Sequence, residues 1–177
     1  MEQYFKFINI DKEEQVTAWD FGGGAKAWEW QHDDTRNIIL FLTNYATGSW
    51  AKNHIALIGD CDSSKLWEQT EDHYKKAKFS KFKEFNKNHI VNKDKLIFVN
   101  HTLKEYIVGT YNQLGICAIW LLAQSDDWGG GDFEYMDYAG YWAYSSIETI
   151  FGKEKFNGYK DISSEVFKEA FAEYKRD

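Results

Sequence analysis

Between Asp126 and Tyr144 the chain gathers acids and aromatic rings. Asp126, Asp127, Asp132, Glu134 and Asp137 stand among Trp128, Phe133, Tyr135, Tyr138, Tyr141, Trp142 and Tyr144. Carboxylates pair with lysine and arginine, and Trp and Tyr faces attract cations through the ring quadrupole, so this composition suits a basic protein partner. The bias is sustained: from Glu105 to Gly152 there are seven acids and no Lys or Arg. Trp128, set between Asp127 and the glycines at 129–131, is the expected surface ring, whereas Trp142, in a Gly-x-Trp-Ala that recurs around Trp50, is expected in the core. The expected binding residues are Asp126, Asp127, Trp128, Asp132, Glu134, Tyr135 and Asp137.

Other groupings could do different chemistry. Asp60, Asp62 and Ser64, followed by Glu68 and Glu71, place oxygens at positions 1, 3, 5, 9 and 12 of a calcium-type loop. Lys65 takes the sixth position, where such a loop turns on glycine. Asp60 and Asp62 are therefore the candidate ligands for a divalent metal, the one cofactor the sequence raises. With Asp126 and Asp132 they would serve the alternative reading, a metal-dependent hydrolase or nucleotide-binding enzyme. Asp33-Asp34 beside His32 is a similar cluster. Phe21-Gly22-Gly23-Gly24-Ala25-Lys26 could turn backbone amides toward an anion, but it matches neither the P-loop nor the dinucleotide fingerprint, and a tight connection is expected. His32, His54, His73, His89 and His101 are scattered, without HExxH spacing, and no G-x-S-x-G is present. No catalytic residue is assigned.

The elements that must position these residues come from a chain of 177 residues, 44% hydrophobic and 18% aromatic, enough to build a packed core and to exclude disorder. The net charge of −7 argues against a general nucleic-acid binder. That charge is uneven, because residues 75–95 hold eight lysines against Glu84 and Asp94. Within this segment Phe79, Phe82 and Phe85 repeat every third residue, so a helix packed by its phenylalanines with lysines in water is expected. A basic amphipathic helix acting as an adaptor is the second alternative. Cys61 and Cys117 give neither metal-type spacing nor a disulfide framework, and no apolar run approaches the roughly 20 residues of a membrane span. A soluble, cytoplasmic protein is the expectation.

The chain also repeats itself. Phe7-x-Asn9, Glu14 and Gly24 recur as Phe98-x-Asn100, Glu105 and Gly115. One residue of shift then aligns Trp28 with Trp120, Asp34 with Asp126, Phe41 with Phe133, Gly48-x-Trp50-Ala51 with Gly140-x-Trp142-Ala143, Ile55 with Ile147, and Ile58 with Ile150. The expected organisation is α+β: two related units of about 90 residues, each a hairpin, a helix and further strands, in one compact pseudo-symmetric body. Residues 1–62 form the first unit, 63–94 a lysine-rich helical connector, and 95–177 the second unit. Hairpins are expected from Phe5–Ile10 with Gln15–Trp19, and from Lys95–Val99 with Tyr106–Gly109. Helices are expected at Ala25–Gln31, Tyr111–Gln124 and about Ser163–Lys175, the last capped by Ser163. Asn37–Thr43 and His54–Ile58 read as buried strands, and Gly129–Gly131 breaks their counterpart region.

Taken in order, Ile10-Asp11-Lys12, Phe21 to Trp30, and Gly48-Ser49-Trp50-Ala51 running to Ile58-Gly59-Asp60 resemble the motifs of an uncharacterised family of small soluble bacterial and eukaryotic proteins. The second unit is similar to the same family through Val99-Asn100-His101, Lys104 to Ile107, Leu121 to Asp132, Gly140-x-Trp142-Ala143 and Tyr159 to Ser163. The Gly-Asp usual after Trp-Ala is replaced by Lys52-Asn53 and Tyr144-Ser145, so any role of that acid is missing. The resemblance implies a fold unit and carries over no catalytic residue. The leading functional expectation is a non-enzymatic cytosolic binding protein, of the immunity or inhibitor type, with an acidic aromatic surface for a basic partner.

Overall fold

In Phe5-Lys6-Phe7-Ile8-Asn9 successive side chains point to opposite faces of a strand, and all five are buried, as a strand covered on both sides requires. The computed structural model describes residues 3–27, 29–31, 35–61, 65–90, 95–124 and 137–172. Along these, strands β1 (Phe5–Asn9) and β2 (Glu14–Thr17) are followed by helix α1 (Ile38–Leu42), β3 (Asn53–Gly59), α2 (Leu66–His73), β4 (Lys75–Lys76) and α3 (Phe82–Ile90). Then come β5 (Leu96–Asn100), β6 (Glu105–Gly109), α4 (Tyr111–Leu122), β7 (Ala123–Gln124), β8 (Ser145–Phe151), β9 (Lys160–Asp161) and α5 (Ser163–Ala170). The architecture is mixed α and β, with five helices around a nine-stranded open sheet among the described residues.

The strand order is β4-β2-β1-β3-β8-β5-β6-β9, with β7 beside β3 off this path. Both expected hairpins form: β1 pairs antiparallel with β2, and β5 with β6. Each turns through a residue of positive φ, Glu13 at 51° and Lys104 at 56°. A buried asparagine braces each turn, Asn9 Oδ1 accepting from the Lys12 N–H at 3.1 Å and Asn100 Oδ1 from the Leu103 N–H at 2.9 Å. The centre of the sheet is the antiparallel overlap of β3 and β8, where Asn53, His54 and Ile55 face Ile147, Ser146 and Ser145.

The inner face carries the main core, in which Phe7, Ile55, Leu57, Phe98, Ile107 and Ile147 pack against the helices with Trp30, Trp50 and Trp142. Two smaller clusters lie apart from it. Ile8, Ala56 and Ile58 pack under Trp67 of α2, and Ile97, Val99, Tyr106 and Ile150 pack with Phe156 and Tyr159.

Three expectations are corrected. Asn37–Thr43 is not a strand, because Ile38–Leu42 is a helix with Ile38, Ile39, Leu40 and Leu42 all buried. A short all-apolar run has no period to separate helix from strand. Ala25–Gln31 is no α-helix; a 3₁₀ turn at Glu29–Gln31 stands there. Ser163 does not cap α5 with its side chain: its Oγ accepts from the Val108 N–H at 2.8 Å and donates to Asp161 Oδ1 at 2.5 Å, tying the helix start to β6. Helix α4 does begin as its sequence directs, in a Thr110/Gln113 capping box. The connector holds two helices, α2 and α3, separated by β4.

Candidate functional site

Tyr138 and Tyr141 stand edge to face, their centroids 5.4 Å apart at 89°. Two carboxylates from distant elements hold this turn. Glu169 of α5 accepts the Asp137 N–H at 3.1 Å with Oε1 and the Tyr138 N–H at 3.0 Å with Oε2. Glu105, at the first position of β6, accepts the Tyr141 hydroxyl at 3.3 Å with Oε1 and the Trp142 indole N–H at 3.2 Å with Oε2. Trp142 is wholly buried, as expected, and so fixes the segment to the core. Tyr141 remains exposed. The phenol of Tyr138 is pushed up by desolvation first, then by the charges of Glu165, Glu169, Glu105 and Asp137. Tyr141 is raised by desolvation, then by Glu105 and Tyr138. A surface this rich in acceptors and ring faces is suited to cations rather than anions.

Of the expected binding residues, Asp137 belongs to this turn. Asp126, Asp127, Trp128, Asp132, Glu134 and Tyr135 lie outside the described residues. Sequence reasoning missed Glu165 and Glu169. Their i,i+4 spacing on one face of α5 was a legible signal, but only the fold brings that helix to residues 137–141.

The candidate metal ligands are used otherwise or undescribed. Asp60 Oδ1 accepts the Tyr4 N–H at 2.9 Å, and Glu71 accepts the Trp67 indole N–H at 2.8 Å. Lys65 does adopt the left-handed conformation expected of a loop glycine, at φ 55°. Asp62 and Ser64, like His32, Asp33 and Asp34, lie outside the described residues. Among the described residues no group of three His, Cys, Asp or Glu could hold a metal ion.

The glycine loop closes on the protein's own carboxylate. Glu29 Oε2 accepts the Lys26 N–H at 2.9 Å, and a Cβ on Gly24 would lie 2.1 Å from that oxygen. The loop is thus a tight connection, as expected. In the basic segment Phe82 is buried, Phe79 and Phe85 are half-buried, and their rings meet Phe21 and Phe41 at 4.7–5.7 Å. The phenylalanine face that an adaptor helix would present is occupied by the core.

Two polar groupings on the outer face had no sequence signal. Lys6 is 1% exposed; its ammonium donates to the Trp67 carbonyl at 3.2 Å and lies 4.2 Å from the Trp67 ring centroid. Burial brings its pKa down to about 8, against the opposing pull of Glu71. His101 stands between two partners, Nε2 2.8 Å from Glu148 Oε2 and Nδ1 3.0 Å from the Tyr159 hydroxyl. Nearby, Asp11 receives both the His54 N–H at 2.8 Å and the His54 ring at 2.9 Å.

No helix among the described residues is long and apolar enough to cross a membrane. Compared with known proteins, the chain matches no family model, no curated protein and no solved structure.

Proposed function

We propose that this chain is a cytoplasmic protein-binding module, of the immunity or inhibitor type, whose acidic aromatic surface engages a basic partner. One observation carries the reading: the ring pair of Tyr138 and Tyr141 is set between two carboxylates, Glu169 accepting the Asp137 and Tyr138 N–H groups and Glu105 the Tyr141 hydroxyl. Asp126, Asp127, Trp128, Asp132, Glu134 and Tyr135 continue the same composition in sequence. A partner lysine or arginine would gain both charge pairing and ring contact there. The test is capture of binding proteins at low and high salt by the wild-type chain and by Tyr138→Ala/Tyr141→Ala.

The reading includes an internal duplication, each unit resembling the same family largely through pieces of its own. Supporting it, Phe7 opposite Val16 recurs as Phe98 opposite Ile107, and Asn9 opposite Ile55 recurs as Asn100 opposite Ile147. Trp50 Nε1 donates to Glu14 at 2.6 Å, as Trp142 Nε1 does to Glu105. The units part company between hairpin and tryptophan. The Trp50 N–H donates to the Leu42 carbonyl and the Trp142 N–H to the Leu121 carbonyl, which matches Leu42 with Leu121. The alignment of Phe41 with Phe133 therefore has no support from these bonds.

A further inference from the structure

The outer face differs between the two halves of the sheet at one place. Under the two-unit reading, on which this inference rests, His101, Glu148 and Tyr159 occupy the positions that Ile10, Ala56 and Tyr74 hold in the first unit. The tyrosine is common to both; the imidazole and carboxylate belong to the second unit alone. The side chains of Glu148 and His101 are only 8% and 19% exposed, and burying such a pair is costly in desolvation. The first unit shows that apolar residues satisfy the fold at these positions.

We propose that Tyr159, His101 and Glu148 form a reactive site in which Tyr159 is a nucleophile toward uncharged acyl esters. The ordering of the protons follows from the partners. Glu148 accepts from Nε2–H of His101, which leaves the Nδ1 lone pair to accept the Tyr159 O–H. The other tautomer would set a lone pair against the carboxylate. A nucleophile on a base, with the base oriented by a third group, is the arrangement that activates hydroxyls. Lys52 Nζ, 3.9 Å from Glu148 Oε1, helps hold the carboxylate in place. The Phe156 ring, 4.7 Å from that of Tyr159, supplies an apolar wall, while the Glu148 carboxylate repels phosphate esters. This site is separate from the turn of Tyr138 and Tyr141.

In the reaction, the Tyr159 oxygen attacks the ester carbonyl carbon as its proton passes to His101 Nδ1. The ester C–O bond breaks and the leaving group departs with the bonding pair, taking up the proton. Water then attacks the acyl-tyrosine with His101 again as base, releasing the acid and restoring the phenol. Tyr159 and His101 are the catalytic residues; Glu148 is a positioning residue.

The test treats the whole protein with p-nitrophenyl acetate and maps acetylated tyrosines by mass spectrometry. Acetylation of Tyr159 should be at least roughly tenfold faster than that of any other tyrosine, reversible by hydroxylamine, and lowered roughly tenfold or more by His101→Gln, within the range of general-base effects. Glu148→Gln should lower it, and Glu148→Asp should restore part of it. Tyr159→Phe, which keeps the ring beside Phe156, should abolish the p-nitrophenolate burst. Tyr159 no more reactive than its fellows, a burst surviving Tyr159→Phe, or full reactivity in His101→Gln would each overturn the proposal. The double variant His101→Ile/Glu148→Ala separates the two readings. It should fold with at least wild-type stability and lose the burst; if it unfolds while wild-type Tyr159 is selectively acetylated, the two-unit correspondence fails and the reactive site stands.

Discussion

His54 and Ser146 face each other across the short overlap of β3 and β8. Each is fastened by a side chain from a neighbouring hairpin turn, the His54 N–H donating to Asp11 at 2.8 Å and the Ser146 N–H to Thr102 at 3.0 Å. The two turns thus brace the middle of the sheet, where β7 also pairs with β3 and Thr149 bonds to Thr43 and Tyr45. On the inner face the packing is shared, one core holding Phe7 and Leu57 of the first half with Phe98 and Ile107 of the second, together with Trp50 and Trp142.

Those tryptophans should therefore dominate stability. Trp50 and Trp142 are fully buried and each gives its indole N–H to a glutamate. Trp142→Ala should cost about 3–5 kcal/mol in chemical denaturation, from lost burial and the cavity left behind. Trp142→Phe should cost less, about 1–3 kcal/mol, because the principal loss is the donor to Glu105. An alanine variant of wild-type stability would show that Trp142 is a surface ring.

Lys6 sets a pH dependence whose sign is fixed by burial. Its pKa falls from 10.5 to about 8 on folding, so between these values the unfolded chain holds a proton the folded one has lost, and stability rises with pH. Below pH 8 the full cost of the buried charge is present. Lys6→Ile, which copies Ile97 in the second hairpin, should be neutral to about 2 kcal/mol stabilising at pH 7. Its advantage over wild type should shrink between pH 8 and 9.5. Denaturant melts of both proteins at three pH values check this; an advantage that grows with pH would contradict it.

Gly115 lies where α4 crosses the chain just before α1. A Cβ there would sit 2.1 Å from Asn37 Oδ1 and 3.0 Å from the Arg36 carbonyl oxygen. Alanine would gain about 1 kcal/mol of helix propensity, yet overpacking costs about 1–3 kcal/mol. Because one obstacle is backbone, the clash wins, and Gly115→Ala should lower the thermal midpoint.

The two thiols should separate cleanly. Cys117 is buried in α4 and burial pushes its thiol far up, whereas Cys61 is half-buried in the turn after β3. Iodoacetamide at pH 8 should alkylate Cys61 in the native protein and reach Cys117 only after unfolding. Native labelling of Cys117 would mean that α4 opens readily.

Much of the sheet was legible in the sequence. The hairpins were legible as β-rich segments around polar turns, and α4 as a helical stretch after the second hairpin; its Thr110/Gln113 capping box was present in the sequence but went unread. The helix at Ile38–Leu42 was not legible, since an apolar run buried on every side carries no period. The acidic aromatic composition was visible, and so was the core role of Trp142. Glu169 and Glu165 were missed because their part depends on where α5 docks. The outer-face trio was invisible for a related reason: His101, Glu148 and Tyr159 come from three segments whose nearness exists only once β5, β8 and the chain before β9 are side by side.

The central claim is tested most directly by affinity capture with the wild-type chain and with folded Tyr138→Ala/Tyr141→Ala, in about 0.1 M and 0.5 M salt, followed by identification of the bound proteins. The account predicts a basic partner held by the wild type at low salt, released at high salt, and lost from the double variant. A partner held equally by both proteins at both salts would contradict it.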